Sequence, residues 1–213
     1  MSTLIKSLTA AGGVGAVSTG AYFAMPSKED VSIRARLEKS GYSILNLDKK
    51  DTTQSGEWGK IKTAYGKESE ALLRFSNVVK DTDYTVSGLK DACSSLLSSE
   101  SKKDEDLEKA RRWCVVPVTV SSRLGDKLSL MDTTTTTTNA DDSLWDKKLK
   151  EHQDANSKLP KIPNVWGTEA TDDAKKKNAL KTKCGEMAKL STFDKDFETF
   201  VSYTRDWCTK PKK

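Results

Sequence analysis

The chain is poor in the residues from which most catalytic sites are built. It has one histidine, His152, so most nucleophile–base pairs would lack their usual base. No Gly-rich phosphate loop, no Gly-x-Ser-x-Gly and no His-Glu-x-x-His occurs. The four cysteines include no Cys-x-x-Cys pair, which with a single histidine removes the common zinc motifs. No carboxylate stands alone in an apolar run. The 36 basic and 31 acidic residues are interspersed, as where Lys102-Lys103 precedes Asp104-Glu105-Asp106. A nucleic-acid binder would gather its cations into a stripe with interleaved aromatics. These absences lead us to expect a non-enzymatic protein with no cofactor, no metal and no nucleic-acid partner. His152 lies in a very polar stretch and is expected to be exposed.

Against this background two Trp-Cys pairs stand out, Trp113-Cys114 and Trp207-Cys208. Each closes the order Trp … Leu-Lys-x-x-Cys … Arg-x-Trp-Cys. The first copy runs through Trp58, Leu89-Lys90, Cys93 and Arg111. The second runs through Trp145, Leu180-Lys181, Cys184 and Arg205. The Trp-to-Cys gaps are 35 and 39 residues, and the Cys-to-Cys gaps are 21 and 24. Rare residues repeated in one order at similar gaps indicate an internal duplication. Trp58, Trp113, Trp145 and Trp207 are expected to be structural, buried at matching places in two related units.

At the N-terminus, Lys6 is followed by nineteen uncharged residues, Ser7 to Met25, before Pro26. As a helix they would span about 28 Å, close to the thickness of a bilayer core. Gly12, Ala16, Gly20 and Ala24 recur every fourth position and would form a flat stripe for close helix packing. Residues 1–26 are therefore expected to be an apolar anchor or signal segment. We favour a retained single-pass anchor that places residues 7–25 in lipid and residues 27–213 outside the cell. The stripe leaves self-association of the anchor open.

The rest reads as mainly α-helical with minor extended segments. Residues 27–132 form a first helical unit with an extended tail. A helix beginning near Glu29-Asp30 should stop at Gly41, and Tyr42 to Leu47 is partly extended. Trp58, Ile61, Ala64 and Tyr65 share a helical face, as do Ala71, Leu72, Phe75 and Val78 in a second helix and Leu89, Cys93 and Leu96 in a third. Asp104 to Arg112 is acidic at its start and basic at its end, which suits a helix dipole. Val115 to Val120 is extended, and Ser122 to Leu130 is a weak helical candidate. The six threonines from Thr133 open a flexible linker, 133–140. Residues 141–213 form the second unit, in which Pro160 and Pro163 bracket an irregular stretch presenting Trp166. Phe193 to Tyr203 belong to its last helix.

Four cysteines permit three pairings. The duplication prefers Cys93–Cys114 and Cys184–Cys208, one bridge inside each unit. Such bridges need an oxidising exterior, which is where the anchor would put the domain.

Several stretches resemble the uncharacterised paralogous protein families of haemotropic mycoplasmas. They are Ala10 to Ala16, Arg36 to Tyr42, Trp58 with Tyr65 and, most specifically, Ala110-Arg111-Arg112-Trp113-Cys114-Val115-Val116-Pro117-Val118. The resemblance implies a surface-exposed, antigenically variable protein and assigns no functional residues. The expectation is a membrane-anchored surface protein engaged in host interaction or antigenic variation. Two alternatives are an exterior small-molecule or peptide-binding module, for which Trp166 and its prolines are the hint, and a cytosolic nucleic-acid-associated protein.

Overall fold

The computed structural model describes residues 31–78, 85–136 and 139–212. The anchor segment 1–26 and its stripe, Gly12, Ala16, Gly20 and Ala24, lie outside the described residues. Among those described, no helix is long and apolar enough to cross a membrane. The described chain is mainly helical: α1 (Ile33–Lys39), α2 (Ser55–Lys67), α3 (Val86–Leu97), α4 (Asp104–Trp113), α5 (Asp142–Gln153), α6 (Asp173–Lys189) and α7 (Phe197–Cys208). Two short strands, β1 (Leu128–Leu130) and β2 (Thr209–Pro211), pair antiparallel.

Helix ends follow local chemistry. Ser32 caps α1 by accepting from the Ala35 N–H, Thr85 caps α3 through the Gly88 N–H, and Asp172 caps α6 through the Lys175 N–H. Gly41, at φ 78°, ends α1 in a left-handed turn where the Tyr42 N–H returns to the Leu37 carbonyl. The acidic first turn and basic last turn of α4 are as the sequence suggested.

The two halves share one contact plan. In the first half Ile44 bridges Val115, and the Leu45 N–H donates to the Cys114 carbonyl at 3.0 Å. In the second half Leu130 faces Thr209, and the Met131 N–H donates to the Cys208 carbonyl at 2.9 Å. The indole of Trp58 donates to the Asn46 carbonyl and that of Trp145 to the Asp132 carbonyl. The indole of Trp113 donates to the Leu73 carbonyl and that of Trp207 to the Pro160 carbonyl. Buried Lys90 and Lys181 tie down the loops before α2 and α5, through the Asp48 carbonyl and the Thr134 carbonyl respectively. Arg74 and Lys161 hold the last carbonyls of α2 and α5. The disulfides Cys93–Cys114 and Cys184–Cys208 join α3 to α4 and α6 to α7, with Cα separations of 5.5 and 5.6 Å. Trp58, Trp113, Trp145 and Trp207 are all buried.

Two hydrophobic clusters follow these halves, one around Trp58 and Trp113 and one around Trp145 and Trp207. They are not independent bodies, since residues 31–213 form one compact unit. Helix α7 joins them: Phe197 and Val201 pack in the first cluster, while Trp207 and Cys208 pack in the second. Helix α1 packs on α3 and α4.

Several local expectations are corrected. Residues 71–78 are not a helix: only Ala71–Leu73 makes a short 3₁₀ turn. Phe75 and Val78 are buried from a loop, because the Phe75 N–H is taken by the Tyr65 hydroxyl. The segment 122–130 is helical only at its start, in a 3₁₀ turn at Ser121–Arg123. It ends as β1, whose edge hydrogen bonds are met by β2. Phe193 precedes α7, which starts at Phe197 after Asp196 adopts a left-handed φ of 59°. The threonine run begins inside the second half: the Thr134 N–H donates to Asp132, and the Thr134 carbonyl accepts from Lys181. Thr137 and Thr138 lie outside the described residues.

Candidate functional site

His152 is buried, not exposed. It sits two helical turns after Trp145, the place that Tyr65 holds after Trp58. The correspondence extends to its contacts. The Tyr65 hydroxyl accepts from the Phe75 N–H at 2.9 Å, and His152 Nε2 accepts from the Ile162 N–H at 3.1 Å. Tyr65 meets the ring of Trp113 edge-on at 5.1 Å, and His152 meets Trp207 at 4.7 Å and Trp166 at 5.1 Å. An imidazole that accepts a backbone N–H must be neutral there. Burial pushes its pKa down, and the nearby Lys161 ammonium pushes it further. His152 is thus a core residue with a structural hydrogen bond. Trp166 is half-buried, with its ring packed against His152. Among the described residues no group of three His, Cys, Asp or Glu side chains is placed to hold a metal ion.

The feature best suited to binding lies in the first half, on the outer face of α2. The inner face of this helix buries Trp58, Ile61 and Tyr65. The opposite stripe carries Gly56, Gly59 and Thr63, flanked by Lys60 and Lys67, and Ala64 lies at its edge, partly packed against the core. Together with residues 193–195 it encloses an open groove of about 820 Å³. The far wall is fixed in place: Arg112 Nε donates to the Phe193 carbonyl at 3.0 Å, and Asp194 accepts from the Ser191 N–H. Lys195 pairs with Glu70 at 2.7 Å.

The floor is an ion pair, Arg112 with Glu68 at 2.5 Å, with side chains only 6% and 9% exposed. Burial acts to raise the Glu68 pKa, but backbone N–H groups of Glu70 and Ser69 and the Arg112 guanidinium outweigh it and hold the carboxyl below its usual range. Arg112 also lies over the Trp113 ring at 4.7 Å, and its Nη1 is buried with no hydrogen-bond partner. Among the described residues no ion pair engages Lys60 or Lys67. The groove therefore combines a small-residue wall, the half-buried Phe193 and an excess of positive charge.

Of the residues singled out from the sequence, the structure joins the cysteines and tryptophans into two matched frameworks and leaves the groove apart from them. Reading the sequence missed the groove entirely. The available signal was the glycine spacing in α2, set against the second copy of the same helix. No family model matches the chain, and neither the curated proteins nor the solved structures compared with it contain a match.

Proposed function

We propose that this chain is a non-enzymatic, membrane-anchored surface protein, with residues 7–25 in lipid and residues 27–213 outside the cell. Its role is binding: host interaction, or display of a variable exterior. The observation that carries this reading is the pairing of all four cysteines into two disulfides, one in each half. Disulfides persist in oxidising surroundings and are rare in the cytosol. Resemblance of the stretch around Arg111 to Val118 to paralogous mycoplasma families adds the host-facing part of the proposal.

Labelling of intact cells with a membrane-impermeant amine reagent tests it. Exposed lysines such as Lys60, Lys147 and Lys150 are expected to react before lysis. Reaction only after lysis would overturn the exterior placement. A second reading, an exterior peptide-binding module, is favoured by the basic groove on α2 rather than by Trp166.

A further inference from the structure

We propose that the groove between α2 and residues 193–195 is a docking site for an acidic peptide segment of a partner protein. This deepens the peptide-binding reading above and does not depend on which side of the membrane the domain lies.

The duplication supplies an internal control. Gly56, Gly59, Thr63 and Ala64 on α2 occupy the places that Ser143, Asp146, Lys150 and Glu151 occupy on α5. In the second copy this face is ordinary solvated helix, with Asp146 paired to Lys177 at 2.9 Å. In the first copy the same face carries small residues. Glycine weakens a helix interior, so Gly59, in the second turn of α2, calls for a reason, and Gly56 in the first turn extends the same bare face. The chain's own packing offers none. A Cβ placed at Gly56 or Gly59 would meet nothing within 4 Å. Neither glycine is needed for a positive φ, as both lie within the helix. The space they leave is external, and bare helix backbone suits the close approach of another main chain.

The charge of the groove selects the occupant. Lys60 and Lys67 flank the small-residue wall, and among the described residues neither has an ion-pair partner. Arg112, paired with Glu68 in the floor, and Lys195 on the far wall line the same groove. Phe193 and Ala64 give an apolar side chain of the same segment a place to pack. An extended chain carrying Asp or Glu beside a small apolar residue satisfies these features together.

The test is selection of a random dodecapeptide display library on the full chain, with enriched peptides then measured against two variants. Gly59→Leu fills the groove, and Lys60→Glu/Lys67→Glu reverses its rim. We expect enrichment of Asp- and Glu-bearing peptides whose affinity weakens as salt is raised. Each variant should lower that affinity at least tenfold, while the melting temperature of Gly59→Leu stays level or rises. No acidic enrichment, or undiminished binding by Gly59→Leu, would overturn the proposal. Displacement of the peptide by millimolar inorganic phosphate that perturbs the same residues would make this a small-anion site instead. Self-association of the chain that Gly59→Leu abolishes, without peptide binding, would assign the groove to a second copy. Peptide binding alongside failed labelling of intact cells would remove the exterior placement and leave the groove standing.

Discussion

The two halves of this molecule use one contact plan with different residues at several places, and two of those places separate what the fold requires from what it leaves free. Tryptophans, cysteines and the loop-anchoring lysines are kept in both copies. Each has a hydrogen bond or a covalent bond to make, and each is buried. Where Tyr65 and His152 differ, both accept a backbone N–H and both lie edge-on to an indole, so the position demands a ring with an acceptor and not one particular side chain. Where α2 and α5 differ on their outer faces, Asp146 of α5 pairs with Lys177, whereas Gly56 and Gly59 of α2 have open space beside them.

The largest effects should come from the shared indoles. Trp113→Ala and Trp207→Ala each remove a fully buried ring and leave the Leu73 or Pro160 carbonyl without its donor. Each should cost about 3–5 kcal/mol in chemical denaturation. A loss under about 1 kcal/mol in one half, with the full loss in the other, would break the equivalence. Next come the bridges. Loops of 21 and 24 residues imply that Cys93→Ala/Cys114→Ala and Cys184→Ala/Cys208→Ala each cost roughly 3 kcal/mol in the chain-entropy model, and nearly the same amount as each other. Thermal melts of the two double variants would show whether the halves are equally dependent.

Acid should separate the halves. The folded state holds the His152 pKa below its ordinary value of 6.5, first through burial and then through Lys161. The unfolded chain therefore binds this proton more readily. The stability His152 contributes is complete above pH 6.5 and is lost as pH falls through the lowered value. Protonation also places an N–H against the Ile162 N–H. Burial raises the pKa of Tyr65, its counterpart, from 10.0, so the first half has no such loss at this position. His152→Gln, which keeps an acceptor without the titration, should flatten the dependence of stability on pH below 6.5. The smallest effect sharpens the second difference: Gly59→Ala should raise stability by about 0.5–1 kcal/mol, and Asp146→Gly should lower it by a similar amount.

Much of the framework was legible because rare residues mark it. The spacing of Trp and Cys showed both bridges, and the 3.6-residue periodicity showed the inner faces of α2 and α3. Periodicity failed at Phe75 and Val78, where apolar residues are buried from a loop and imitate a helical stripe. It failed again at His152, because a polar neighbourhood concealed a core position that alignment on Trp145 would have revealed. Segment 128–130 read as a helix because its partner strand lies far along the chain, at Thr209–Pro211, and local sequence carries no sign of that pairing. The groove stayed hidden for a different reason. An absence of side chain becomes meaningful only when the opposite wall is known, and Phe193 to Lys195 come from the other half.

The most direct test of the central claim, two matched units each closed by its own bridge in an oxidising exterior, is a disulfide map of the protein from acid-quenched cells. The chain would be alkylated under denaturing conditions, since all four cysteines are fully buried in the fold. It would then be digested without reduction and read by mass spectrometry. The account requires Cys93 linked to Cys114 and Cys184 linked to Cys208, with no cysteine alkylated before reduction. Four alkylated cysteines, or a bridge running between the halves, would contradict it.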